Sequence, residues 1–162
     1  MISKRKLIFG LSYAIAEECT YTYLAKPEES KYTQQFSINT DRAGHAVRIF
    51  SIENNYKSKK KNCEGVYLVK EFNWGYSDYI NKSGPVKGHV TQIYSDGSKI
   101  FLTFEGTSQN PGGTKNFSNV GYSNIVGGTG VYKNISGYGL NKGEFNPETG
   151  YSKFEFTLKY TK

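Results

Sequence analysis

Histidine, cysteine, methionine and proline are scarce here: 162 residues hold two histidines, two cysteines, one methionine and four prolines. With Cys19 and Cys63 the only thiols and no histidine paired at ligand spacing, a tetrahedral zinc site would need carboxylates from scattered places, so no metal is expected. There is no Gly-Lys-Ser/Thr triplet, and no apolar run reaches the roughly 20 residues that a membrane-spanning helix requires. Nor does any window carry a long apolar stripe at helical spacing, so little helix is expected beyond a turn between Val131 and Ile135.

What the chain has in quantity is rings and glycine, with 14 Tyr, 10 Phe and 18 Gly. Aromatic and β-branched side chains suit a pleated, half-buried surface, and glycines punctuate turns. From Cys19 onward, short runs of alternating apolar and polar residues are broken by turn signals, which is the pattern of a sheet. Strands are expected over 19–25, 33–39, 46–53, 65–74, 86–94, 99–107, 120–128, 137–145 and 151–161. The clearest hairpin is "YSDGSK", because Asp96-Gly97 supplies the positive φ of a tight turn. In the last strand Phe154, Phe156, Leu158 and Tyr160 share one face and Lys153, Glu155, Thr157 and Lys159 the other. So many antiparallel strands in one small domain leave edges to protect, and closure into a barrel removes them.

The N-terminus, "MISKRKLIFGLSYAIAEE", places basic residues before a short apolar stretch and the triplet Ala14-Ile15-Ala16, the order of a secretory signal. Residues 1–16 are therefore read as a cleaved signal and 17–162 as a single β domain; the rival is a first element packed on the domain. Export would place the protein outside the cell or in the periplasm, and without it the protein would be cytoplasmic. In an oxidising compartment Cys19 and Cys63 would pair, a cross-link worth about 4 kcal/mol in the chain-entropy view, whereas two reduced buried thiols would suit a cytosolic protein. The net charge of +7 falls to +4 without the three charges Lys4, Arg5 and Lys6. The densest remaining cluster, Lys57, Lys59, Lys60 and Lys61, sits among loop-forming residues with only Tyr56 beside it, which argues against a nucleic-acid surface.

"IVGGTGVYKNISGYG" invites a phosphate-binding reading. A phosphate loop needs a helix after its glycines, so that backbone N–H groups converge on the anion. Here Val131, Tyr132, Asn134 and Ile135 run straight into Ser136-Gly137, too short and too β-prone for that helix. Gly127, Gly128 and Gly130 are instead expected to let a strand end sharply, and Gly137 and Gly139 to let the next one bend. No nucleotide or other cofactor is expected.

The same stretch, preceded by "GSKIFLTFEGT", is similar to the late strands of the allene-oxide-cyclase and dirigent type of β-barrel. "EECTYTYLAKPEE", "FNWGYSDYINKSG" and "DGSKIFLTFEGTSQ" resemble a group of small exported bacterial proteins of that barrel type. The resemblance spans roughly Glu17 to Phe156. It implies an eight-stranded, closed or nearly closed antiparallel barrel with a central cavity, often oligomeric, and it carries over no catalytic residue.

Candidates for chemistry are few. Glu71 and Glu105 sit in otherwise apolar strands, where each should face solvent or find a buried partner, and solvent is the favoured fate for both. His89 has the mixed same-face neighbours Lys87, Thr91 and Ile93, and His45 reads as a surface residue. Phe72, Trp74, Tyr76, Asp78 and Tyr79 concentrate apolar area with polar tips, and at a strand end they would rim a barrel mouth and bind a ligand or partner.

Three functions follow: a non-catalytic barrel binding a small apolar or amphipathic molecule or a protein partner, an isomerase or cyclase acting in the cavity, or a structural module with a filled interior. The state of the interior separates them.

Overall fold

The structure is a computed structural model that describes residues 17–110, 112 and 115–162; the segment 1–16, on which the export reading rests, lies outside them. Alternation produces the expected strands: β1 (Cys19–Ala25), β2 (Ser30–Asn39), β3 (His45–Asn55), β4 (Leu68–Ile80), β5 (Gly84–Tyr94), β6 (Lys99–Gln109), β7 (Phe117–Gly128), β8 (Ser136–Asn146) and β9 (Tyr151–Thr161). They form one all-antiparallel sheet in the order β1-β9-β8-β7-β6-β5-β4-β3-β2. The inward face of β9 is Phe154, Phe156, Leu158 and Tyr160, all buried. The "YSDGSK" hairpin turns on Gly97 at φ +81°.

The nine strands match the nine segments read from alternation, while the resemblance implies eight, and the reason for the difference is local. Residues 27–29 form a 3-10 turn, and Pro27 has no N–H to give a ladder. The buried Glu29 carboxylate fixes this break by accepting the backbone N–H groups of Lys26 (3.2 Å) and Lys57 (2.9 Å). β1 and β2 run in the same direction, and a parallel crossover needs a dozen or more residues, so these are two halves of one interrupted strand. One half pairs with β9 and the other with β3, which curls the sheet into a barrel. Gln35 Nε2 in β2 donates to the Pro147 carbonyl in the β8–β9 turn (3.2 Å), drawing the two margins together.

One end of the barrel is sealed. Leu68, Tyr94, Ile100, Tyr132 and Leu158 fill it, with Tyr56 and Val66 from the 56–67 loop packed on top. That lysine-rich loop is stitched down by a disulfide between Cys19 and Cys63, by Tyr21 donating to the Lys60 carbonyl (2.9 Å), and by a hydrogen bond from Tyr160 to Glu64. All four of its lysines, Lys57, Lys59, Lys60 and Lys61, are exposed, and Lys60 lies over the Tyr21 ring at 5.6 Å. At the same end, Gly130 (φ +59°) takes the chain out of β7 into a one-turn 3-10 helix over Gly130–Tyr132; Gly127 and Gly128 stay in the strand. No α-helix follows these glycines, so their N–H groups form no anion cradle. Among the described residues no helix is long and apolar enough to cross a membrane.

Candidate functional site

The largest departure from expectation is β4, which continues past Trp74 to Ile80. Alternation therefore decides where its side chains go. Glu71, Asn73, Gly75, Ser77 and Tyr79 face inward, while Phe72, Trp74, Tyr76 and Asp78 face outward. Of the five residues expected to rim the mouth, Tyr79 alone lines the interior. Trp74 is 47% exposed on the outer wall, stacked on Phe72 at 5.7 Å between centroids. Asp78 instead meets His45, whose Nε2 lies 2.6 Å from its Oδ1 while Nδ1 bonds the Thr40 hydroxyl at 2.9 Å; this pins the β2–β3 turn to β4.

His89 and Glu105 are exposed on the outer face, His89 opposite Trp74 and Thr103 across the ladders, and Glu105 accepting from the Tyr122 hydroxyl (3.0 Å). Neither reaches the interior. Glu71 does the opposite of what was favoured and is 2% exposed. Its Oε2 accepts from Tyr23 (2.7 Å) and Gln92 (2.9 Å), and its Oε1 from Asn54 (3.2 Å) and Asn73 (3.0 Å). Burial raises its pKa above the ordinary carboxyl value, with these hydrogen bonds opposing the shift. A carboxylate offers about four lone-pair directions, so these four donors occupy them.

Between this cluster and the open end runs an interior cavity of about 80 Å³. Its walls are the rings of Phe50, Phe104, Phe117, Phe145, Phe154 and Phe156, joined by Val86 and Val90. Gly75 leaves space for one of them, since a Cβ there would stand 2.3 Å from the Phe50 ring. A polar ladder crosses the rings. Tyr79 and Ser108 share a hydrogen bond of 2.6 Å, Asn119 donates to Ser108 (3.1 Å), and Asn141 donates to Asn119 (3.1 Å). The ladder ends at Asn141 Oδ1, buried without a partner.

At the open end the cavity meets a cup of about 440 Å³ edged by Gly44, Asn81, Lys82, Pro147 and Glu148. Arg48, Tyr79 and Phe117 border both spaces. Arg48 is 8% exposed and lies over the rings of Phe50 (4.9 Å) and Tyr32 (5.6 Å). Burial pushes the Tyr32 phenol up to about 12 despite the Arg48 charge beside it, so that hydroxyl keeps its proton. The sequence reading missed Arg48. Its signal was parity, for Arg48 shares a face with Phe50 and Ile52 in "AVRIFSIE".

Among the described residues no three His, Cys, Asp or Glu side chains gather in a way that would hold a metal ion. No protein-family model matches the chain, and no curated protein does. Among solved structures, a pterocarpan synthase dirigent protein, GePTS1, is similar over 99% of this chain and 96% of its own, at 14% identity and a TM-score of 0.46.

Proposed function

We propose that the protein is an exported, non-catalytic β-barrel that holds one small amphipathic molecule in its interior. The observation that carries this reading is a cavity that the side chains do not close, whose walls are rings and whose buried polar atoms are not all partnered within the chain. Native interiors leave few such atoms without reason. A space of about 80 Å³ exceeds the roughly 30 Å³ share of one water but falls far short of the roughly 300 Å³ at which drug-sized sites begin. The occupant is therefore a single ring or short chain, with the remainder of the molecule in the cup.

A catalytic role would rest on Glu71, whose raised pKa suits proton transfer. Against that, its oxygens are engaged by Tyr23, Gln92, Asn54 and Asn73, which makes it a hub of the wall. Export is supported by the signal-like N-terminus together with the Cys19–Cys63 bridge, since disulfides persist in oxidising compartments. Self-association belongs to the same reading, because Tyr122 and Leu140 pair across the outer wall beside Val120, and all three are exposed.

Mass spectrometry of small molecules retained by the purified mature protein tests the reading. A stoichiometric organic molecule is expected. Absence of any retained compound, together with no shift of the Asn119 and Asn141 side-chain amide signals on adding small aromatic probes, would leave the structural-module reading.

A further inference from the structure

Arg48 is a cation without an anion. Its Nη1 donates to the neutral Gln35 Oε1 (3.1 Å), and its Nε is buried with no partner. Among the described residues no carboxylate lies within ion-pair distance of it, although five other such pairs form. The acids that might have served are engaged elsewhere. Glu148 in the cup is paired with Lys82 (3.3 Å), and Asp78 with His45 on the outer wall. Glu71 stands opposite Asn54, six positions along β3 from Arg48, or about 20 Å of strand at 3.3 Å per residue. A buried charge is costly unless it is paired and hydrogen-bonded, so its partner is to be sought in what the site receives.

Building on the ligand-binding reading, we propose that Arg48 is the anion-recognition residue of the cavity and that the natural ligand is a small organic carboxylate with a flat apolar body. The guanidinium is a planar fork matched to the two oxygens of a carboxylate, and its free Nε–H lies on one edge of that fork. Its face is already taken by Phe50 and Tyr32, leaving its edges for hydrogen bonding. The carboxylate would sit where cup and cavity meet, and the body would lie among Phe50, Phe117 and Phe145. The Tyr32 hydroxyl, held neutral beside Arg48, supplies a further donor without adding negative charge.

The test compares phenylacetate with its neutral isostere phenylacetamide on the full mature chain. Binding is followed by calorimetry and by the NMR signals of the Asn119 and Asn141 side-chain amides, which report the cavity directly. Phenylacetate is expected to bind at least tenfold more tightly than the amide. Arg48→Met, which keeps an apolar stem, should abolish that preference, and Arg48→Lys should retain part of it. Equal affinity for acid and amide in the parent protein, or a preference that survives in Arg48→Met, would overturn the anion assignment while leaving cavity binding intact. Failure of both compounds to shift the amide signals at millimolar concentration would overturn the cavity reading and this assignment together.

Discussion

Tyr23 and Glu71, 48 residues apart, meet inside the barrel through a hydrogen bond of 2.7 Å. They belong to β1 and β4, which are not neighbours in the sheet, so the bond passes through the interior and ties the first half of the interrupted strand to the strand beyond β3. Replacing Glu71 by Leu would remove the acceptor shared by Tyr23, Asn54, Asn73 and Gln92, although Gln92 would keep its bonds to Tyr23 and Tyr94. Each buried polar group left unpaired costs about 1–3 kcal/mol. A loss of roughly 3 kcal/mol or more in urea-unfolding stability is expected; a change under about 1 kcal/mol would show that the cluster is not structural.

The same carboxyl sets a pH dependence. Its pKa is raised on folding from an ordinary value of 4.5, so the folded protein keeps this proton at pH values where the unfolded chain has lost it. Stability from this group is therefore greatest below pH 4.5 and declines as pH rises through the folded value, levelling off above it. Unfolding free energies of the parent and of Glu71→Gln, measured across this range, should differ in slope, with the slope flattened in the variant.

Cys19 and Cys63 close a loop over a separation of 44 residues. Cys19→Ser with Cys63→Ser should cost about 4 kcal/mol by loop-closure entropy, and the parent protein in reductant should behave like the variant. Because the 56–67 loop is also held by Tyr21 and Tyr160, the lysine cluster should gain protease sensitivity on reduction before the barrel unfolds.

Trp74 lies outside the cavity, on the outer wall. Its fluorescence should be readily quenched by acrylamide, and the quenching should not change when a cavity ligand is added. Trp74→Ser should cost no more than about 1 kcal/mol, mostly through the lost stacking on Phe72, and leave ligand affinity unaltered.

The legible and illegible parts of this molecule divide along the barrel axis. In β9 the apolar face is the inner one, so Phe154, Phe156, Leu158 and Tyr160 announce their direction in the sequence. In β4 the pattern inverts. Glu71, Asn73, Gly75 and Ser77 point in, while Phe72, Trp74 and Tyr76 point out, and a register shift between Leu68 and Lys70 changes the parity just upstream. A reader counting apolar residues assigns the wrong face to such a strand, because burial here is decided by lateral hydrogen bonding within the wall and not by hydrophobicity. β7 behaves alike, with Asn119 and Ser123 inside and Val120 and Tyr122 outside. The site was hidden for that reason. Its polar residues come from β2, β3, β4, β6, β7 and β8, one to three from each, and no contiguous motif could have gathered them.

The disulfide-bound lysine loop gives the barrel a floor. Among the described residues that end is closed, so under the proposed binding role a guest would leave by the end it entered, and nothing would be passed from one side to the other. Such a shape suits custody of a molecule rather than its conduction, and on the proposed reading the rim around Arg48 would govern both arrival and departure.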